Sequence, residues 1–313
     1  MSTAFDQAAF NQAIIEEFRA NGGKVGDPSE NTGILLLTTT GAKSKRQHTV
    51  PLGFVRDGGQ VLVVASAAGA PHHPAWYHNL LANPIVQAEI GTERFDAIAV
   101  PAEGEHRDRL FEHAVREQPG YADYQARTDR VLPVVVLERA DAEEVEGPAE
   151  VTDLADKMLE VHTWLRSQLR HVRAEADAHF AAVDAHQGPG TPPAPGLGLQ
   201  IRQHCLALCQ TLEFHHTGED EHLFPNVRDY HPHLASALDR LSEEHTTIAR
   251  IQGELVALLA DIGRADPDRF RDELDRLSEE LRVHLDYEEE ALFPVLADVP
   301  WPPPGHAEQE LQY

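Results

Sequence analysis

Two cysteines in 313 residues cannot build a disulfide framework. Cys205 and Cys209 sit one helical turn apart, a spacing that disfavours a bridge between them, so they read as small core residues of a protein in a reducing, cytoplasmic setting. Cations are scarce as well: 26 Lys and Arg stand against 52 Asp and Glu, a formal net charge of −26. That balance argues against duplex nucleic acid as a partner. No apolar run approaches the length of a membrane span. The N-terminus lacks a basic segment leading into an apolar stretch, so no signal peptide is expected. Glu16 and Glu17, on the first helical stretch, argue against attachment to an anionic membrane surface.

What is present is unevenly distributed. Residues 1–147 hold 13 basic and 21 acidic side chains, a net of −8, and residues 148–313 hold 13 and 31, a net of −18. Histidine is skewed the same way, with 6 of 19 in the first part and 13 in the second. Neutral imidazoles and carboxylates are ligands that suit iron, manganese or zinc, although most of these carboxylates read as solvated surface.

One short word occurs twice. It reads His215-x3-Glu219-x-Glu221-x-Leu223-Phe224-Pro225, and again His284-x3-Glu288-x-Glu290-x-Leu292-Phe293-Pro294. Residues four apart lie on one face of a helix, so each copy points an imidazole and a carboxylate at the same place. Two such helices facing one another supply the ligands of a dinuclear iron or manganese site. The Phe-Pro after each copy is expected to end its helix, because proline cannot continue one.

The periodicity divides the chain. Residues 9–20 are helical, then 34–40, 48–57, 60–66, 84–90, 94–103 and 131–139 read as strands, with a hairpin turn at Asp57-Gly58-Gly59 and short helices at 74–82 and 105–117. Six strands with few helices suggest a small closed or split α+β barrel over 1–139. Residues 140–151 form an acidic linker. Helices then follow at about 152–186, 197–222, 233–261 and 267–291, the first two separated by a Pro/Gly loop, and 297–313 form a Pro-rich tail. Four helices with short connections imply an up-down-up-down bundle over 152–296. In antiparallel helices, His162 near one start meets the level of His215 near one end, and His245 meets His284 likewise. The candidate ligands are therefore His162, His215, Glu219, His245, His284 and Glu288. His216 falls off this common face and is read as structural. Glu221 and Glu290 read as exposed, and His204 stays open.

The segments LEVHTWLRSQL (159–169), EFHHTGEDEHLFP (213–225), LSEEHTTI (241–248) and VHLDYEEEALFP (283–294) resemble a hemerythrin-like HHE cation-binding domain. The resemblance implies two non-haem iron ions bridged by Glu219 and Glu288, with the four His completing the shell. Oxygen-carrying hemerythrins have five His ligands and four are matched here, which implies an open position for O2, NO or peroxide rather than reversible oxygen carriage. Zinc or manganese are the other metals to test for.

In the first half, Gly41-Ala42-Lys43-Ser44-Lys45-Arg46-Gln47-His48 sets cations on a turn between strands, a candidate anion site. Pro71-His72-His73-Pro74-Ala75-Trp76 opens a helix whose N-terminus could receive an anion. With LLLTTTGAKS (35–44), VVAS (63–66), GAPHHPAWYHNLLANP (69–84) and PGYADYQARTDRVLPVVVLE (119–138), residues 33–139 resemble the deazaflavin-dependent nitroreductase and quinone reductase family. The resemblance implies a split β-barrel that binds coenzyme F420. Lys43, Ser44, Lys45 and Arg46 would hold its phosphate and glutamate tail. Ser66 and the stretch Gly69, Ala70, Pro71, Pro74, Ala75 and Trp76 would line the deazaflavin. Tyr121 and Tyr124 would face a quinone or nitro-aromatic acceptor, with Tyr121 the candidate acid. Two departures stand out: Lys45 replaces the family's usual Gly, and His48 replaces a basic residue.

The combined reading is an F420-dependent oxidoreductase fused to a di-iron bundle, acting without nucleic acid and with no membrane attachment expected; the oligomeric state is left open, a homodimer among the options. The bundle would sense or scavenge O2, NO or peroxide, or accept electrons from the deazaflavin. The alternative is a sensor or iron-binding protein whose barrel only binds a cofactor such as F420, FMN or haem.

Overall fold

A computed structural model of the chain describes residues 7–26, 33–139, 150–184, 196–260 and 267–299. The expected linker and Pro-rich tail lie almost wholly outside the described residues, as does the Pro/Gly loop. The described residues fall into two compact units, 7–139 with 196–207, and 150–184 with 208–299.

In the first unit, α1 (Gln7–Ala20) precedes β1 (Ile34–Thr40), β2 (Gln47–Asp57), β3 (Gln60–Val64), α2 (Ala75–Ala82), β4 (Ile85–Ile90), β5 (Glu93–Pro101), α3 (Gly104–Glu117), α4 (Gly120–Ala126) and β6 (Val134–Arg139). The strands close into an antiparallel barrel in the order β1-β2-β3-β6-β5-β4. Closure leaves no open edge. Asp57 pairs with Gln60, so Gly58-Gly59 is the two-residue hairpin loop expected there.

Why β1, β3 and β6 read as unbroken apolar runs follows from their two covered faces. Leu35, Leu37, Val61, Val63, Val135 and Leu137 point into the barrel with Trp76, Tyr77 and Leu80. Leu36 turns outward beneath Ile15 and Phe18 of α1. Leu62, Val64, Val134 and Val136 turn outward against Leu110, Ala114 and Tyr121 of α3 and α4. Helix α4 was not foreseen, because seven residues are too few to show a helical period.

Helix α6 (Gly196–Gly218) begins in this unit. Residues 196–207, expected in the bundle, are tied to the barrel by polar bonds that hydrophobic periodicity does not reveal. Leu199 N donates to Glu103 Oε2 (3.2 Å) and Arg202 Nη1 to the Leu81 carbonyl (2.7 Å). The buried Gln203 amide donates to the carbonyls of Leu80 (2.9 Å) and Ala99 (3.0 Å). His204 Nε2 meets Glu138 Oε2 at 2.9 Å, which gives that open histidine a structural partner.

The second unit holds α5 (Leu154–Asp184), the end of α6, a π-helical turn (Glu219–Leu223), α7 (Phe224–Tyr230), α8 (Ala235–Leu259) and α9 (Pro267–Leu296). The expectation that Phe-Pro stops each helix is corrected. Pro294 lies inside α9, and Pro225 sits in the first turn of α7. Proline's fixed φ is helical, and in a first turn its missing N–H costs nothing. At Pro294 the carbonyl left without a donor is that of the exposed Glu290, where water can serve it. Ala155, Met158, Phe224, Val227, Leu238, Leu241, Leu292 and Leu296 seal this end of the helices with apolar surface. Among the described residues no helix is long and apolar enough to cross a membrane.

Gln203→Ala should lower unfolding stability by about 1–3 kcal/mol, because two buried carbonyls lose their donor. A shift in the urea midpoint at constant slope checks it.

Candidate functional site

Seven buried or nearly buried side chains converge within the helices. Helix α5 brings His162, α6 brings His215 and His216, the π turn brings Glu219, α8 brings His245, and α9 brings His284 and Glu288. The Nε2 atoms of His162 and His215 are 3.1 Å apart, and those of His245 and His284 are 3.2 Å apart. Glu219 spans the two pairs, with Oε1 3.1 Å from His215 Nε2 and Oε2 3.4 Å from His245 Nε2. Glu288 spans them from the other side, its Oε2 lying 3.6 Å from His162 Nε2 and 3.5 Å from His284 Nε2. His216 stacks on His245 with centroids 3.9 Å apart and planes at 14°.

Two groups could each hold a metal ion: His162, His215, Glu219 and Glu288, and His216, Glu219, His245 and His284, each set of atoms lying within 4.8 Å. Glu219 belongs to both. Its place in the helix explains this: it stands four residues after His215 and three after His216, on the face between the two imidazoles. The π turn that begins at Glu219, with Phe224 N bonded back to the Glu219 carbonyl, is a device that gathers at functional sites.

The donor set fits a cation. Six buried side-chain atoms among the described residues lack a hydrogen-bond partner, and five lie here: both oxygens of Glu219, both of Glu288, and His216 Nε2. Each such atom costs about 1–3 kcal/mol, so together they rival the whole stability of a domain. A polar group this costly is retained where a ligand satisfies it. Burial first, and then the Glu288 and Asp220 charges, push the Glu219 carboxyl well above its ordinary range. Burial and neighbouring imidazoles hold His215 and His216 well below theirs, and His284 is lowered chiefly by burial. Neutral imidazole is the form a metal takes.

Three of the rings are oriented from behind. Glu289 lies 2.9 Å from His162 Nδ1, Asp220 3.0 Å from His245 Nδ1, and Glu244 3.0 Å from His284 Nδ1. Arg166 at 2.6 Å, the Ser242 hydroxyl at 2.7 Å and Arg240 at 2.7 Å hold these carboxylates in turn. A proton on each Nδ1 leaves Nε2 free to face the centre.

The sequence reading missed His216 and the three orienting acids. The signals were there: Glu219 follows His216 by three residues as well as His215 by four, and each acid adjoins a candidate ligand in the chain. Glu221 and Glu290 are exposed, as read.

In the barrel unit, the structure joins the two segments singled out. Lys43, Ser44, Lys45 and Arg46 lie exposed on the turn between β1 and β2. Ala42 N donates to Asn79 Oδ1 at 3.1 Å, and Lys45 Nζ reaches Asn83 Oδ1 at 3.4 Å, so α2 supports the turn. Ser66, Gly69 and Ala70 lie on the tight turn after β3, which packs on α4, and Pro71, Pro74 and Ala75 lead into α2. Trp76 is only 7% exposed and belongs to the barrel core. Tyr121 is buried and donates to the Gly53 carbonyl at 3.3 Å, with Tyr124 edge-on at 6.3 Å. Burial, then Tyr124, pushes the Tyr121 phenol up to about 12, so it holds its proton at neutral pH and serves as a donor.

Residues 12–139 match the F420H2-dependent quinone reductase family and 153–296 match the hemerythrin HHE cation-binding domain. An F420H2-dependent quinone reductase of Mycobacterium tuberculosis (strain H37Rv) is 41% identical over 126 residues, which are 39% of this chain and 85% of the relative. The corresponding protein of strain CDC 1551 matches equally. The chain belongs to the F420H2-dependent quinone reductase family, joined to a hemerythrin HHE domain. A solved F420H2-dependent reductase is 45% identical, covering 34% of this chain and 94% of its own, with a TM-score of 0.32.

Against that family, the departure at Lys45 has a physical account. Its φ is 55°, the left-handed conformation that glycine adopts freely. The turn is closed by Lys45 N to the Gly41 carbonyl (3.0 Å) and Gly41 N to the Arg46 carbonyl (2.8 Å). Lysine therefore takes a glycine-like conformation there, at a cost of about 1–2 kcal/mol. His48 Nε2 lies 3.1 Å from Ser44 Oγ, so the second departure braces the same turn.

Asp220→Asn should weaken metal affinity about 10–100-fold through loss of the His245 brace. Titration against a competing chelator measures it, and affinity within twofold of wild type would show that Asp220 orients nothing.

Proposed function

We propose that the barrel passes hydride from reduced coenzyme F420 to a quinone or nitro-aromatic acceptor, and that the helical domain holds two iron ions that bind or react with O2, NO or peroxide. The observation that carries the metal reading is the set of five buried, unpartnered atoms on Glu219, Glu288 and His216. They converge with four further imidazoles in two groups that share one carboxylate.

His162 and His215 would hold one ion, and His216, His245 and His284 the other, with Glu219 and Glu288 shared. His216 raises the imidazoles to five, the number that the hemerythrin resemblance associates with oxygen carriage. The group with His162 and His215 offers one imidazole fewer than the other, which would leave room there for a small ligand. Two irons, when bound, supply redox chemistry toward such molecules.

In the barrel, F420 when bound supplies the hydride. The exposed cations Lys43, Lys45 and Arg46 would bind its anionic tail, and the turn from Ser66 to Ala75 would set the position of its ring. Tyr121 keeps its proton and would orient the acceptor. The quinone reductase activity for which the mycobacterial relatives are named, and the basic turn in an otherwise acidic chain, support this reading over a barrel that only binds a cofactor.

Purified protein should contain about two irons per chain, and Glu219→Gln with Glu288→Gln should abolish iron retention in a protein that still folds. Elemental analysis decides this; zinc or manganese in place of iron would revise the metal, and none after anaerobic reconstitution would end the reading. Separately, Arg46→Ala should raise the KM for F420H2 about tenfold with menadione as acceptor. Tight F420 binding without turnover in the wild type would favour the sensor alternative.

A further inference from the structure

Among the described residues, the turn after β3 holds the longest run of left-handed backbone. Ala67, Ala68 and Gly69 follow one another at φ 46°, 52° and 82°. L side chains rarely adopt such a conformation, and it persists only where the surroundings over-determine it. What over-determines it is one side chain. Arg130 Nε donates to the Ala70 carbonyl (2.8 Å), Nη1 to the Ala65 carbonyl (3.0 Å) and Nη2 to the Ser66 carbonyl (2.6 Å). The guanidinium thus brackets the left-handed residues from both ends. Its Nη1 also lies 3.0 Å from His73 Nδ1. Arg130 only donates, so His73 Nδ1 accepts and its proton sits on Nε2. Burial, then the Arg130 charge, lowers the His73 pKa, in keeping with a neutral acceptor.

Arg130 is itself fixed. Gln125 Nε2 donates to the Arg130 carbonyl (2.8 Å), while Gln125 Oε1 accepts from Leu132 N (3.0 Å). Arg107 donates to the Leu132 carbonyl at 3.0 and 2.6 Å. A planar fork with several donors in fixed directions can serve three carbonyls and a ring nitrogen at once; a lysine ammonium cannot.

We propose that Arg130 is a positioning residue for the F420-dependent reaction: it holds the Ser66–Ala70 turn and the His73 ring in the shape that receives the deazaflavin. This rests on the reading that residues 66–76 line the cofactor. In this role Arg130 acts through the backbone it pins.

The test uses the full chain and three variants. Arg130→Gln removes the fork. Arg130→Lys keeps the charge but not the geometry. Gly69→Ala disturbs the same turn directly, because a methyl there would lie 2.8 Å from Arg127 Cβ and 2.9 Å from the Tyr124 carbonyl. KM for F420H2, KM for menadione, kcat and melting temperature are read for each. Arg130→Gln and Gly69→Ala should each raise the F420H2 KM about tenfold and leave the menadione KM within about twofold, with Arg130→Lys between them and the wild type. A lower melting temperature with unchanged F420H2 KM in Arg130→Gln overturns the proposal by making the clamp merely structural. If Gly69→Ala raises that KM and Arg130→Gln does not, the cofactor reading stands and the clamp fails. If neither raises it, the turn does not hold the cofactor and the reading itself falls. Should Arg130→Gln fail to fold, Arg130→Lys decides by the same KM: a rise supports the clamp, no change overturns it.

Discussion

Two carboxylates buried among imidazoles, Glu219 and Glu288, are the constraint around which the helical domain is organised. Neither has a hydrogen-bond partner, and water is kept away by the apolar layer of Phe224, Leu241, Leu292 and their neighbours. Alone, they are a liability comparable to the stability of the whole domain. Bound cations would turn the same atoms from unpartnered groups into ligands. The arrangement behind the rings follows from this. Asp220, Glu244 and Glu289 fix which nitrogen faces inward, and Arg166, Arg240 and Ser242 spread their charge outward to solvent.

The barrel works on the opposite principle. Among the described residues its core holds no titratable cluster of that kind; it is mostly Leu, Val and Ala, with Phe95, around Trp76, Tyr77 and Leu80. Most of the candidate cofactor residues lie on turns that the closed sheet holds in place. Both turns use left-handed backbone at residues other than glycine, Lys45 on one and Ala67 and Ala68 on the other. Each is tied down by side chains from elsewhere, Asn79 and Asn83 in the first case and Arg130 in the second. Strained backbone of this kind persists only where a rigid surround holds it.

Much of this was legible because it repeats or alternates. The duplicated His-x3-Glu word and the level argument led to His162, His215, Glu219, His245, His284 and Glu288, which the structure brings together. The six strands were legible as apolar runs between turn residues. What escaped was of three kinds. His216 was hidden because only the four-residue spacing was used, although three-residue spacing shares the face too. Helix α4 was too short to show a period. The attachment of Leu199, Arg202 and Gln203 to carbonyls of α2 and β5, or to Glu103, depends on which backbone groups the fold leaves unpaired, and no pattern in the chain records that.

The sequence by itself determined most of the helices and strands and six of the seven His and Glu side chains that cluster in the helical unit, because helical and strand periods are local and a metal-binding word needs only one helix to be recognised. It also determined the two family resemblances. The tertiary structure alone decided that Glu219 is common to both ligand groups, that Trp76 belongs to the core, that Pro225 and Pro294 do not stop their helices, and that Arg130 reaches back some sixty residues to pin a strained turn. Those outcomes depend on distances between residues remote in the chain and on which buried polar atoms find partners, quantities set only when the elements pack.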